Sequence, residues 1–197
     1  MAKLLFQGHG SYRITADDRV IYVDPYAGEG YVPLADIILV THEHNDHNRV
    51  DIVPKKETCR IIRSSDALVK GVYKSFDVDG INIAAVPAYN SNHNRKKCVG
   101  YIITVGGIKI YAAGDTSITD AMSDFPALKI DYALLPIDGI YNMDPFEASF
   151  AAGVIGANHV IPIHMKPGAL FDEEMANKFT AGNRLIMKAN EEIDLSN

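Results

Sequence analysis

The sequence predicts an α/β fold of the α+β type, in which two β-sheets pack face to face and helices cover their outer sides. Short apolar runs bounded by turn residues recur along the chain. The early runs follow one another closely, as in an antiparallel meander, whereas the later runs alternate with helical segments. A chain of 197 residues is long enough for two packed layers, and we expect a single domain over residues 1–197.

The first half of the chain reads mainly as strands. The predicted strands are "AKLLFQ", "SYRIT" and "VIYVD", with a turn at "ADDR" and a stop at Pro25. A glycine-rich loop, "YAGEGYVP", leads to "ADIILVT", whose β-branched apolar residues indicate a buried strand. Beyond it we predict a strand at "CRIIRS", a short helix at "SDALVKGV" and a strand at "DGINIAAVPA".

The second half begins with a predicted hairpin, "VGYIITVGGIKIYAAGD", which turns at Gly106-Gly107. Two further buried strands are predicted at "DYALLPI" and "NHVIPIHM". Between them, "DPFEASFAAGVIG" has the apolar spacing of a helix, with Pro145 in its first turn. We predict a terminal amphipathic helix at "FDEEMANKFTAGN" and expect no disorder before the last few residues.

Composition and charge exclude several classes of function. The hydrophobic content of 47% is typical of a globular protein, and a net charge of −6 argues against non-specific binding of long nucleic acid. No apolar run is long enough to cross a membrane, and "MAKLLFQGHG" lacks the features of a signal peptide. Cys59 and Cys98 form no CxxC motif, which is typical of a reducing compartment. We therefore expect a cytoplasmic protein; a homo-oligomer is compatible with these features.

The stretch "HEHNDH" at residues 42–47 carries the strongest chemical signal. It follows a predicted strand, so His42 and His44, two residues apart, can point the same way and bind one ion. Asp46 and His47 leave the next turn together and can reach a second ion. Imidazole and carboxylate groups are the ligands that divalent metals such as zinc prefer, and a solvated polar turn is the alternative interpretation.

Two ions need more ligands, and three candidates follow other predicted strands. They are His93 after "VPAYNSN", Asp115 in "YAAGDTS" and His164 in "VIPIHM". Taken singly, each is as well explained by a hydrogen-bonded residue at a strand end. Together with a hexapeptide that needs partners, they complete a candidate dinuclear site.

In this order, these residues resemble the metallo-β-lactamase superfamily of metal-dependent hydrolases across nearly the whole chain. The segments "GHGSYRI", "VDPY", "GDT" and "LPIDGIYNMDPFEA" look most like its small cytoplasmic branch, which includes ascorbate-6-phosphate lactonase and related uncharacterised hydrolases. The resemblance implies a four-layer αββα sandwich with metals at one rim. It also implies a first ion at His42, His44 and His93, a second at Asp46, His47 and His164, and Asp115 as the bridge.

Such a site predicts hydrolysis. Two cations about 3.5–4 Å apart lower the pKa of a bridging water, so that a hydroxide is available at neutral pH. Asp46 is placed to orient the nucleophile or carry a proton, and His9 in "GHGS" is a second candidate catalytic residue. Nitrogen-rich ligation favours zinc, although manganese, iron or nickel would also fit. Residues proposed to bind substrate are Tyr89, Arg95, Lys97, Tyr141 and Lys166.

The favoured function is a metal-dependent hydrolase of a small ester, lactone or phosphorylated metabolite. The first alternative is a phosphodiesterase acting on RNA ends or cyclic nucleotides, because paired metals suit attack at phosphorus equally well. The second is a non-catalytic metal-binding or ligand-binding protein, which a missing ligand would indicate. All of the candidate ligands are present in this chain.

Overall fold

The computed structural model describes residues 2–196, which form fourteen strands and three α-helices. The strands are β1 (Ala2–Gly8), β2 (Ser11–Ala16), β3 (Arg19–Val23), β4 (Ala35–Val40), β5 (Lys55–Arg63), β6 (Leu68–Val69), β7 (Val72–Tyr73), β8 (Ser75–Val78), β9 (Ile81–Pro87), β10 (Val99–Val105), β11 (Ile108–Ala112), β12 (Tyr132–Pro136), β13 (His159–Ile163) and β14 (Glu191–Leu195). The helices are α1 (Ser64–Ala67), α2 (Pro145–Ile155) and α3 (Glu173–Lys178), with 3-10 helices at Val50–Ile52 and Asp120–Leu128.

Twelve of the strands form two six-stranded sheets. The first has the order β14-β1-β2-β3-β4-β5, and the second has the order β13-β12-β11-β10-β9-β8. In the first sheet β3, β4 and β5 pair in parallel, and in the second β11, β12 and β13 do so; the other neighbours are antiparallel. Both sheets are therefore mixed, and they pack face to face as the sequence predicts.

The main hydrophobic core lies between the two sheets. Phe6 and Ile14 of the first sheet belong to the same buried cluster as Ile103 and Ile110 of the second. Tyr101 also lies there, fully buried, and its hydroxyl donates a hydrogen bond to the Val40 carbonyl at 3.1 Å. Removing so much apolar surface from water is the dominant favourable contribution to folding, and it fixes the position of one sheet against the other.

Each sheet also buries part of its outer face. On the second sheet, Leu135 and Val160 pack in one cluster with Ile155 of α2. On the first sheet, Tyr22 and Ile38 are covered by a loop and the 3-10 helix at Val50–Ile52 instead of an α-helix. No helix within residues 2–196 has the length and apolar character needed to cross a bilayer.

Helix α2 confirms the prediction made from "DPFEASFAAGVIG". Asp144 caps its start, because the carboxylate accepts hydrogen bonds from the backbone N–H groups of Phe146 and Glu147 at 2.9 and 2.8 Å. Pro145 occupies the first turn, where its missing N–H costs nothing. Gly156 ends the helix at φ 67°, a left-handed conformation that favours glycine.

Two helix predictions were too long. In "SDALVKGV" the helix α1 covers only Ser64–Ala67, and the chain then forms the hairpin β6–β7 through a turn at Lys70-Gly71. Valine and glycine are poor helix formers, and φ angles of 52° and 79° at the turn suit a two-residue hairpin. In the tail, α3 ends at Lys178, after only six residues.

The end of the chain forms a strand that was not predicted. Strand β14 pairs antiparallel with β1 at the edge of the first sheet. Its alternation explains the pairing, since Ile193 and Leu195 contribute to the core between the sheets. The sequence "EEIDL" is too short and too charged to indicate a strand before its partner is known.

A buried ion-pair network secures the start of β4 and generates a prediction about stability. The Asp36 side chain is 7% exposed and accepts hydrogen bonds from Val20 N, Arg19 Nη1 and Lys56 Nζ at 2.9, 3.2 and 2.8 Å. Burial raises the pKa of this carboxyl group, but these bonds, that of Lys56 first, lower it by more, so its pKa lies below the usual value.

We expect Asp36→Asn to lower the free energy of unfolding by about 1–2 kcal/mol at pH 7, measured by urea denaturation. Because the folded-state pKa is depressed, the stabilisation is present above the unfolded pKa and disappears as pH falls through the folded pKa. The difference between wild type and variant should therefore shrink below about pH 4. Asp51→Asn, which removes an exposed partner of Arg49, is the control. A difference that persists unchanged at low pH would contradict this assignment.

Candidate metal centre

The seven predicted metal ligands converge at one end of the two sheets. They are His42, His44, Asp46, His47, His93, Asp115 and His164. Strands β4, β11 and β13 run directly into the segments that carry His42, Asp115 and His164. Because each belongs to a parallel group of strands, their carboxyl ends meet at one rim, which is where a site is expected in such a fold.

The Asp115 carboxylate lies at the middle of the cluster. Its oxygens are 3.2 Å from His93 Nε2, 3.3 Å from His47 Nε2, 3.5 Å from His164 Nε2 and 4.0 Å from His42 Nε2. The preceding Gly114 has φ 63°, and a Cβ atom there would lie 2.8 Å from the Thr41 side chain. Glycine therefore allows the strand end to approach the start of the hexapeptide closely enough for Asp115 to enter the cluster.

Potential ligand atoms form three overlapping groups. Within each, the atoms lie within 4.8 Å of one another: His42, His44 and His93 in one group, His42, His47 and Asp115 in another, and His9, Asp46, His47 and His164 in the third. Buried Nε2 atoms of His42, His47 and His164, and Oδ1 of Asp115, have no hydrogen-bond partner among the described residues. Lone pairs that are buried, unpaired and convergent fit divalent cations well.

Three of the histidines are oriented by oxygen atoms behind them. His47 Nδ1 lies 2.9 Å from Asp24 Oδ2, and His164 Nδ1 lies 2.8 Å from Asp138 Oδ2. His93 Nδ1 donates to the side-chain oxygen of Asn90 at 2.9 Å. A hydrogen-bond partner on Nδ1, as His47 and His93 have, or a carboxylate close to it, as at His164, leaves Nε2 free to face the cluster, which is the arrangement found behind metal-binding histidines.

Burial and nearby charges shift the pKa values of the histidines on the two sides of the cluster in opposite directions. Burial, helped by the nearby His47, lowers the pKa of His42 to about 2, so this imidazole is neutral. Burial also lowers the pKa of His164, but Asp115, Asp138 and Asp46 together outweigh it and raise that pKa to about 10. Burial raises the pKa of Asp115, yet His47 and His164 hold it well below its usual range. A cation entering this cluster therefore replaces a proton, and metal binding releases protons.

His9 contacts the cluster from the β1–β2 turn. Its Nε2 lies 3.2 Å from Asp46 Oδ2, its Nδ1 lies 3.1 Å from the Ala169 carbonyl, and its ring centroid is 3.8 Å from that of His164. The His9 backbone is left-handed at φ 57°, and its carbonyl accepts a hydrogen bond from His164 N at 2.7 Å. His9 is thus placed to hold Asp46, the candidate catalytic carboxylate, whose side chain is 36% exposed.

The predicted substrate-binding residues fall in different places. Tyr141 lines the small cavity directly over the cluster, and Lys97 lines a larger cavity of about 480 Å³ beside His42, His44 and His93. Arg95 lies at 4.8 Å over the ring of Tyr89 and faces a neighbouring cavity. Lys166 lies on another side, 3.6 Å from Asp172, and shares no cavity with the lysines near His93.

The orienting residues Asp24, Asp138 and Asn90 were not predicted in those roles. A signal for two of them was present, since Asp24 directly follows β3 and Asp138 follows β12 by two residues, at the rim that carries the ligands. Each side chain also fixes backbone. Asp24 accepts from Thr41 N at 2.7 Å, and Asp138 accepts from the N–H groups of Ile140 and Tyr141, each at 2.7 Å.

This fold and this cluster define a metal-dependent hydrolase of the metallo-β-lactamase type. Comparison with known proteins agrees, because residues 3–164 match the family described as the beta-lactamase superfamily domain. A UPF0173 metal-dependent hydrolase of Thermococcus onnurineus is 33% identical over an alignment that covers 99% of this chain and all of the relative. The chain belongs to the β-lactamase superfamily and groups with the UPF0173 metal-dependent hydrolases.

Solved structures have the same fold. A protein of Parabacteroides distasonis assigned as a metal-dependent hydrolase is 33% identical to this chain. The two structures match with a TM-score of 0.74, and the alignment covers 94% of this chain and 91% of that one. Igni18, a metallo hydrolase of Ignicoccus hospitalis, has a TM-score of 0.77 over 98% of both chains at 24% identity. At that identity the second likeness supports the fold alone.

The contact between Asp24 and His47 leads to a prediction about metal affinity. Asp24→Asn keeps the shape of the side chain and tolerates the left-handed backbone at φ 45°, but it removes the charge behind His47. We expect affinity for zinc to fall by about 10- to 100-fold, measured by competition with a chromophoric chelator. Asp131→Asn is the control. Asp131 is also a buried carboxylate, but it directly precedes β12 and so lies at the end of that strand away from the metal centre. Equal losses in both variants would contradict a specific role for Asp24.

Proposed function

We propose that this chain hydrolyses a small ester, lactone or phosphorylated metabolite by means of two divalent ions, zinc being the best match. The observation that carries the proposal is the position of Asp115. This buried carboxylate has imidazole Nε2 atoms on several sides at 3.2–4.0 Å, and several of these atoms lack any other partner among the described residues. Seven ligands are more than a single tetrahedral ion needs.

In the proposed arrangement, one ion is held by His42, His44 and His93, and the other by Asp46, His47 and His164, with Asp115 between them. The grouping of ligand atoms within 4.8 Å supports the first set and the second, which also includes His9. Seven ligand groups, five of them imidazoles, favour zinc over the harder cations that prefer oxygen, while manganese, iron and nickel remain alternatives.

When bound, two such ions supply a water of depressed pKa and positive charge that stabilises the oxyanion at an attacked carbonyl or phosphorus atom. The residues of the chain do the rest. Asp46 is partly exposed beside the cavity over the cluster, where it can accept and return a proton. His9 positions this carboxylate from behind, and Tyr141 and Asn92 line the cavity in which the reacting bond would lie.

Attack at phosphorus is the second candidate. A phosphodiesterase acting on RNA ends or cyclic nucleotides would use the same ligands, and Lys96 and Lys97 in the cavity beside His93 favour a substrate that carries phosphate. A net charge of −6 supports a small substrate over long nucleic acid. The free cysteines Cys59 and Cys98 support a cytoplasmic location, and we also propose that residues 1–197 act as one domain.

The first experiment combines metal content with turnover. Protein purified without added metal is analysed for bound metal and assayed on a panel of aryl esters, lactones and bis-p-nitrophenyl phosphate, before and after chelation. We expect about two ions per chain and turnover that chelation abolishes and zinc restores. Preference for the ester and lactone panel would support carbonyl chemistry, and preference for the diester would favour the second candidate. Turnover that is indifferent to chelation would exclude the proposed mechanism.

Removing a ligand should remove metal and activity together. We expect His42→Ala and Asp115→Ala to lose at least one bound ion per chain and to lower kcat/KM by at least about a hundredfold. His159→Ala is the matched control, because His159 stacks on Tyr132 at 4.9 Å at the other end of β13. Metal content and kcat/KM are measured on all three variants. Full activity with wild-type metal content in Asp115→Ala would refute the bridging role.

A further inference from the structure

Three neighbouring cavities share lining residues between the metal centre and a cluster of cations. The cavity over the cluster and the larger cavity beside it share His44, Asn92 and His93 as lining residues. The larger cavity shares Lys96 with a third cavity of about 560 Å³. The residues lining this third cavity, the basic pocket, are Leu68, Lys70, Gly71, Tyr73, Arg95 and Lys96.

Local structure holds two of these cations in place. The β6–β7 hairpin carries Lys70 at its tip, where the turn places it at φ 52°, a conformation that a lysine rarely adopts. The Arg95 guanidinium lies 4.8 Å above the centre of the Tyr89 ring. Arg95 also lines the basic pocket together with Tyr73. An arginine positioned in this way loses less side-chain entropy when it binds a ligand.

The cations of the basic pocket lack acidic partners. Among residues 2–196, no carboxylate lies within ion-pair distance of Lys70, Arg95 or Lys96. Some other cations of the described residues are paired, as Arg63 is with Glu43 at 2.8 Å. Three unpaired cations around one concave surface are notable in a chain of net charge −6, and they create a local positive potential that attracts anions.

We propose that the basic pocket binds an anionic group of the substrate, a phosphate or a carboxylate, while the bond to be cleaved lies at the metal centre. The inference rests on the proposed function, since it assigns one end of the substrate to the cavity over the cluster and the other end to the basic pocket, with the cavity beside His93 between them. Arg95 offers a planar fork of N–H donors that matches either anion, and Lys70 and Lys96 add point charges on the sides. Three cations suit one anionic group of a small molecule.

The test has a binding arm that needs no turnover. Phenyl phosphate is titrated into 15N-labelled, zinc-loaded protein, and the backbone amide shifts are followed. We expect the amides of Gly71, Arg95 and Lys96 to move with one dissociation constant. Arg95→Ala/Lys96→Ala should raise that constant at least about tenfold, because two charged hydrogen-bond donors are lost. The control is Arg60→Ala/Lys188→Ala, which removes the same charges from exposed positions outside the pocket.

The turnover arm compares matched substrates. Two 4-nitrophenyl esters of equal chain length are used, one ending in a carboxylate and the other in its methyl ester. In wild type we expect the anionic ester to have the lower KM. In Arg95→Ala/Lys96→Ala its KM should rise at least about tenfold, so that the two esters no longer differ in KM, whereas Arg60→Ala/Lys188→Ala should keep the wild-type difference. If no ester is turned over, the proposed function fails, and the binding arm still decides the pocket.

Three results would overturn the inference. The first is an unchanged dissociation constant in the double variant. The second is amide shifts confined to the residues near His44 and Asp46, which would mean that phosphate binds only at the metals. The third is binding of single-stranded RNA whose affinity grows with length and falls steeply with salt, because the cations would then belong to a nucleic-acid surface. Circular dichroism and zinc content verify that the double variant is folded and loaded.

Discussion

The burial of the Asp115 carboxylate is the constraint on which the rest of this structure depends. The residue is 4% exposed, and an isolated charge in such a position would cost several kcal/mol. That cost is offset only if cations or protons surround the carboxylate, so the imidazoles of His47, His93 and His164 must arrive from separate strands at the same point. The site therefore forms only if the two sheets are held in a fixed position relative to each other. The core between the sheets holds them there, together with the hydrogen bond from Tyr101 to the Val40 carbonyl, two residues before His42.

The same polar atoms that orient the histidines also shape the cavity above them. Asp138 faces His164 and, with the same carboxylate, receives the N–H groups of Ile140 and Tyr141. Asn90 accepts from His93 Nδ1 at 2.9 Å and donates to the Tyr141 carbonyl at 2.8 Å. The loop around Tyr141 is thus linked to two candidate ligands, to His164 through Asp138 and to His93 through Asn90. A change in how that loop packs changes the geometry of both ligands, which couples the shape of the cavity to the metal centre.

The sequence indicated the fold and the ligand candidates because both depend on local signals. Apolar runs ending in histidine or aspartate mark the carboxyl ends of strands, and such ends meet at one rim whatever the detailed topology. The misses needed tertiary information. The short strand β14 is stabilised by its pairing with β1. The role of Asp24 in orienting His47 becomes visible only when the two side chains are seen in contact. A helix was predicted in place of the hairpin at Lys70-Gly71 because "SDALVKGV" begins with helix-forming residues, whereas the turn at Lys70-Gly71 determines the conformation of its second half.

The position of the cations suits selectivity at a distance from the reaction. A lysine or arginine beside the seven ligands would be repelled by bound divalent ions and would compete with them for Asp46 and Asp115. In this chain Lys70 and Arg95 lie outside the cavities that the candidate ligands line, and only Lys96 lines both the basic pocket and the cavity beside His93. An anionic substrate group can then contribute binding energy without disturbing the ligands. In the proposed arrangement the chemistry takes place at the metal centre, and the hairpin β6–β7 and the segment after His93 select the substrate.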